Sequence, residues 1–200
     1  MAIESVLHMN GGSGESSYAN NSSFQKSVLL KTKPVIEDSI KDMYINGGLP
    51  ECLKIADLGC SSDPNTLFLV SEIIDIFHGL CKQHSHRAPE FQVFLNDLPE
   101  NDFNSIFNSL SFYFDKLKKE KGDLFGPTFI LAMPGSFYQR LFPRKSLDFV
   151  HSSYSVHWLS QVPEGLENNK RNIYMSKTSP PDVLEAYSKQ FQRTSSPLYT

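Results

Sequence analysis

The chain has 200 residues, 40% of them hydrophobic and 20% charged, with a formal net charge of -3. It is long enough to bury one core, too apolar for a disordered chain, and lacks the basic surplus of a nucleic-acid binder. Its three cysteines, Cys52, Cys60 and Cys81, form no CxxC pair, which argues against a disulfide framework and for a reducing compartment.

The opening MAIESVLHMNGG has no basic segment ahead of an apolar run and does not read as a signal peptide. No apolar stretch reaches the length of a membrane span, so the expected location is cytoplasmic. Residues 8–23 are rich in Gly, Ser and Asn and read as a loop. From Phe24 to about Tyr44, apolar residues return at helical spacing through Val28, Leu29, Val35, Ile36, Ile40 and Met43. Pro34 is expected to kink or divide this helix, and Asn46-Gly47-Gly48 to end it. Leu53–Leu58 reads as a strand ending in the turn GCSSDPN, and a helix is expected from about Asn65 to Lys82. QHSHRAPE is a loop whose His84 and His86 have no cysteine or carboxylate at ligand spacing, so solvation is expected there rather than a metal. Phe91–Leu95 is a second strand ending in Asn96-Asp97, and residues 102–119 read as a helix. Phe129–Ala132 is a third strand with the turn MPGSF, and Leu147–Val150 a fourth with HSSYSVHW. A helix near 182–192 follows. This alternation predicts an α/β fold with a parallel sheet wrapped by helices, whose ligands bind beyond the carboxyl ends of the strands.

Four constellations sit at those ends. Asp57-Leu58-Gly59-Cys60-Ser61-Ser62 pairs a carboxylate with a glycine turn that lets backbone approach a nucleotide-like ligand. The same pattern also serves as a plain strand-to-helix connection. Asp97 can accept two hydrogen bonds from ribose hydroxyls or act as an N-cap, a role Asn101 or Asp102 could also fill. Ser136 can bond a cofactor amine or carboxylate and Phe137 can flank an adenine; the alternative is a turn with a core aromatic. Trp158 sits among hydroxyl groups, as a pocket wall with a polar handle or as a core residue. No GxGxxG follows the first strand, which sets a dehydrogenase aside.

Taken in order, LHMNGGSGESSYANNSSFQ, IADLGCSS, FLNDLPENDFN, PGSFYQRLFP and HSSYSVHWLSQVP resemble the plant family of salicylate, benzoate, jasmonate and caffeine-pathway methyltransferases, often called SABATH, over roughly residues 1–192. The resemblance implies a Rossmann-like methyltransferase fold, with helices on both faces of the sheet and S-adenosylmethionine as cofactor. It implies that Tyr18, Asp57, Cys60, Asn65, Asp97, Leu98, Ser136 and Phe137 line the cofactor site. By the same resemblance Gln25, Tyr154, His157 and Trp158 face a small carboxylic acid, with Gln25 and Trp158 positioning it and His157 a neutral wall. Asn169, in ENNKRN, matches a position that contributes to a magnesium site in some members. The implied organisation is an N-terminal segment 1–50 that joins the site, a partial Rossmann-like domain 51–192, and a divergent tail 193–200.

Two departures stand out. Asp63 replaces the family's glycine, and a carboxylate near the cofactor's own carboxylate would weaken binding by about 1–3 kcal/mol unless it points to solvent. RTSSPLYT reads as polar and turn-like where the family's helix continues, and family members are much longer, so the last strands and most of the helical cap are expected to be missing. The expected function is methylation of a small carboxylic acid such as salicylate, benzoate or jasmonate. A ring-nitrogen acceptor stays open. The alternative is a non-catalytic homologue that pairs with a full-length relative, as a heterodimer in place of a homodimer.

Overall fold

The apolar runs become four strands and five helices in a computed structural model, which describes residues 9, 14–62, 64–122, 126–169, 172 and 175–195. The helices are α1 (Tyr18–Asn21), α2 (Ser23–Gly47), α3 (Pro64–Gln83), α4 (Phe103–Lys121) and α5 (Pro181–Ser195). The strands are β1 (Cys52–Leu58), β2 (Glu90–Asp97), β3 (Thr128–Pro134) and β4 (Phe149–His151). They pair in the order β3-β2-β1-β4, every pair parallel.

The register explains the core. Ile55 lies opposite Val93 and Phe149, and Val93 opposite Ile130. This row, with Leu53, Phe91 and Leu95, faces Ile40 of α2, Val70, Ile73, Ile74 and Phe77 of α3, and Ile106 and Leu117 of α4. Phe77 meets Phe91 edge-on with ring centroids 6.1 Å apart, a favoured aromatic geometry. The row on the opposite face starts at Ala56 and Phe94, and there Phe142 packs on Phe94 with centroids 5.4 Å apart. Farther out, Phe129 and Leu131 of β3 and Val150 of β4 are exposed at 53%, 37% and 50%.

Several expectations shift. Pro34 lies inside α2, yet the helix runs on without division. A proline removes one helical N–H and crowds the preceding turn, but here Leu29, Ile36, Ile40 and Tyr44 are buried on both sides of it. An ion pair from Lys33 to Glu72 also fastens α2 to α3 at that level. Part of the first loop is the short helix α1, with the Ser17 hydroxyl accepting from the Asn20 N–H. The fourth strand starts at Phe149 rather than Leu147. Before it, Asp148 holds the edge of β1 with its own N–H to the Lys54 carbonyl at 2.9 Å and its carboxylate to the Lys54 N–H at 2.8 Å. The final helix continues past Gln192 to Ser195, because the buried Thr194 hydroxyl donates to the Gln190 carbonyl at 2.6 Å and accepts from the Gln190 amide at 3.1 Å. Residues 196–200 of the expected tail lie outside the described residues.

Candidate functional site

The four turns after the strands are fastened to one another. The Asn96 carbonyl at the end of β2 accepts from the Gly59 and Cys60 N–H groups, each at 2.9 Å. The Asn96 side-chain amide donates to the Met133 and Gly135 carbonyls at 2.7 and 2.9 Å. The turns after β1, β2 and β3 thus share one buried asparagine. On the other side, the Ser152 and Ser155 hydroxyls both donate to the Leu58 carbonyl at 2.9 Å. Gly59 adopts φ +79°, and a Cβ built there would lie 2.4 Å from the Ser155 Cβ. Only glycine satisfies both the left-handed backbone and that approach. Tyr138 closes the ring of turns by donating to the Trp158 carbonyl at 2.8 Å.

Two adjoining cavities open at this end of the sheet. The larger, about 260 Å³, is lined by Tyr18, Gln25, Asp97, Leu98, Ser136, Phe137, Tyr154, His157 and Trp158 among others. That is close to the lower end of small-molecule sites, about 300 Å³. The smaller, about 40 Å³, is lined by Asp57, Cys60 and Asn65 together with Tyr18, Gln25 and Tyr154. Of the thirteen residues expected at the site, twelve therefore line one cavity or the other, and Asn169 lines neither.

Local contacts orient each carboxylate. α4 is capped by Asp102, whose side chain accepts from the Ser105 N–H at 3.1 Å, so Asp97 is not the cap. Asp97 instead accepts from the Ser61 N–H at 2.7 Å and from the Leu98 N–H at 2.8 Å, which fixes its orientation at the cavity wall. Asp57 is buried, bonded to His151 Nδ1 at 2.9 Å and accepting from the Thr66 hydroxyl at 3.0 Å. It ties β1 to β4 and α3 while lining the smaller cavity. Asn65 donates to the Ser22 hydroxyl at 3.0 Å and so anchors the start of α2.

Asp97 is the one carboxylate among the described residues of the larger cavity. His157 stands at the cavity wall, its ring partly exposed, and its partial burial pushes its pKa down from the usual 6.5. Phe24, Tyr154, His157 and Trp158 form a row of rings, with centroids 5.6, 5.4 and 5.2 Å apart. Gln25 Oε1 and Ser61 Oγ are buried without a hydrogen-bond partner, and both residues line both cavities. Buried polar atoms are nearly always paired, so two such atoms at one cavity fit a polar ligand.

Asn169 belongs to a separate loop. Its carbonyl oxygen accepts from the Ser179 hydroxyl at 3.0 Å and from the Asn172 amide at 3.4 Å. It offers one neutral oxygen, whereas magnesium takes a near-octahedral oxygen set. No group of three His, Cys, Asp or Glu side chains suited to a metal occurs among the described residues. These residues alone do not make a magnesium site. Asp63 lies outside the described residues.

Sequence reasoning gave no such role to Ser22, Tyr138, Ser152, Ser155 or Asn101, which hold the turns of the site together. Most lie within the motifs already singled out, and that adjacency was the available signal.

A parallel sheet with a glycine turn after β1, a carboxylate at the end of β2 and an aromatic cavity above both defines the nucleoside-cofactor-binding class of α/β proteins. Comparison with known proteins narrows this. A family model described as SAM dependent carboxyl methyltransferase matches residues 4–198. The chain is 55% identical over 192 residues to the S-adenosyl-L-methionine:benzoic acid/salicylic acid carboxyl methyltransferase 3 of Petunia hybrida, covering 96% of this chain and 54% of that protein. It is 53% identical over 193 residues to the salicylate carboxymethyltransferase of Clarkia breweri, covering 96% and 52%. A solved structure of loganic acid methyltransferase with SAH matches with a TM-score of 0.78 at 35% identity, covering 96% of this chain and 53% of that one. The chain belongs to the S-adenosylmethionine-dependent carboxyl methyltransferase family, and it spans about half the length of the curated relatives it matches.

Proposed function

We propose that this chain forms the S-adenosylmethionine site and one wall of the acceptor site of a methyltransferase that esterifies a small carboxylic acid such as salicylate, benzoate or jasmonate. The observation that carries this reading is the single cavity that joins Asp97, Ser136 and Phe137 to Gln25, Tyr154, His157 and Trp158. When bound, the cofactor supplies an electrophilic methyl group on a positively charged sulfur. Asp97, oriented by two backbone N–H groups, accepts from the sugar hydroxyls. Phe137 lies against the base, and Tyr18, Cys60, Asn65, Leu98 and Ser136 complete the cofactor's surroundings. A carboxylic acid is already ionised at neutral pH and needs no general base, which suits a wall histidine whose pKa is lowered by partial burial. The side-chain amide of Gln25 and the indole N–H of Trp158 donate to the acceptor's oxygens. They hold the nucleophile in line without pairing it to a cation, so the rate gain comes mainly from orientation. A cytoplasmic setting fits this chemistry, and no helix among the described residues is long and apolar enough to cross a membrane.

Isothermal titration with S-adenosylhomocysteine tests the reading. We expect micromolar binding that Trp158→Ala leaves within about threefold, with acceptor binding weakened about tenfold or more by that change, as for one lost hydrogen bond and its ring contact. A folded chain that binds no S-adenosylhomocysteine overturns the proposal.

The exposed Phe129, Leu131 and Val150 on the second face of the sheet favour a second reading, in which the chain pairs with a longer family member. Co-purification with such a relative, together with the absence of cofactor binding by the chain alone, would separate this reading from the first.

A further inference from the structure

Ser61 is the most constrained residue of the site that the proposed chemistry leaves without a task. Its backbone is left-handed, φ +60°, a region that costs a residue with a Cβ and is normally left to glycine or asparagine. Such strain persists where the surroundings over-determine it, and it clusters at ligand sites. Here the surroundings can be named. The Ser61 N–H donates to the Asp97 carboxylate at 2.7 Å, and the Ser61 carbonyl accepts from the Asn101 side-chain amide at 2.9 Å. Asp97 ends β2, and Asn101 lies in the turn that follows, so one strand end grips the backbone of a single residue of its neighbour on both sides of its Cα. Asn101 is itself buried, and its N–H donates to the Leu98 carbonyl at 2.9 Å.

The grip leaves the Ser61 side chain buried, with an unpartnered hydroxyl, on the wall of both cavities. A hydroxyl can donate and accept at once. A strained backbone that serves only to bury an unsatisfied hydroxyl would be doubly unfavourable. A strained backbone that aims the hydroxyl at a polar ligand group is not.

We infer that Ser61 makes a hydrogen bond to bound S-adenosylhomocysteine or S-adenosylmethionine, and that Asn101 is the positioning residue that holds Ser61 in the left-handed conformation needed for it. This rests on the cofactor-site reading above and adds to it a contact and its support.

The test is a double-mutant cycle on the full chain, read by isothermal titration with S-adenosylhomocysteine and by thermal melting. Ser61→Ala should weaken binding about tenfold, the size of one hydrogen bond, with little change in melting temperature. Ser61→Gly relieves the backbone and removes the hydroxyl. It should melt at or above the parent temperature and bind as weakly as Ser61→Ala, which separates lost contact from lost fold. Asn101→Ala should weaken binding to a similar extent in the parent. In the Ser61→Ala background it should have little further effect, because the group it positions is gone. Parent-like affinity in Ser61→Ala and Ser61→Gly overturns the contact. Full additivity of the two changes overturns the positioning role of Asn101. A folded parent that binds no S-adenosylhomocysteine overturns the cofactor-site reading itself, and this inference with it.

Discussion

At Gly59 two constraints coincide. Its φ of +79° lies in the left-handed region, and the Ser155 side chain stands where a methyl group would have to go. Gly59→Ala should therefore destabilise the fold by about 3 kcal/mol, combining left-handed strain with local overpacking. Adding Ser155→Gly should recover the overpacking share but not the backbone share, and denaturant unfolding of both variants checks this. Among the described histidines, His157 has a pKa shift that ties stability to pH. Burial lowers its pKa below the usual 6.5, so as pH falls through about 6.5 the unfolded chain takes up the proton first. Stability is therefore lost on acidification across that window, and the loss is complete once the folded pKa has also been passed. His157→Asn should flatten the dependence of the unfolding midpoint on pH below about 6.5. An imidazole that titrates by NMR at or above 6.5 in the folded chain would contradict the assignment.

Among the elements, α2 carries the clearest conflict between local preference and tertiary packing. Pro34 sits in its interior and is exposed, and the Thr32 hydroxyl bonds back to the Val28 carbonyl at 3.1 Å in the turn before it. Burial of Leu29, Ile36, Ile40 and Tyr44 overrides the proline. Pro34→Ala should stabilise the protein by about 2 kcal/mol, the helical gain of about 3 less the added freedom of the unfolded chain. A thermal melt without an increase would show that the helix has adapted to the ring. The same helix places Gln25 at the cavity and packs on α3, so it links the core to the site.

For the molecule as a whole, one face of the sheet is closed by α2, α3 and α4, while Phe129, Leu131 and Val150 on the other are open to solvent. An exposed sheet face of this kind is a natural surface for further packing. Cofactor binding should stabilise the described fold directly, because the four turns of the site belong to all four strands. At a ligand concentration of about 100 times Kd, S-adenosylhomocysteine should add about 2.7 kcal/mol, or roughly 5–10 °C in melting temperature for a domain of this size. An unchanged melting temperature at saturating ligand would mean that the cavity does not take it.

The sequence by itself determined the four strands, the four longer helices and the turns after the strands, because these follow from short-range patterns, though not α1 or the continuity of α2 through Pro34. The apolar runs around Ile55, Val93 and Ile130, the helical spacing of Leu67 to Phe77, and the polar turns after each strand are legible within about twenty residues of chain. Of the residues the family motifs named for the site, all but Asn169 line the two cavities, beside others they did not name, such as Ser61, Tyr138 and Ser155. Tertiary structure alone decided how those residues are held. The pairings of Ser61 with Asp97, of Ser61 with Asn101, of Asp57 with His151 and of Leu58 with Ser155 span 36, 40, 94 and 97 residues. No local pattern specifies such partners. They form only when parallel strands bring their carboxyl ends side by side, and that shared edge is where the site lies.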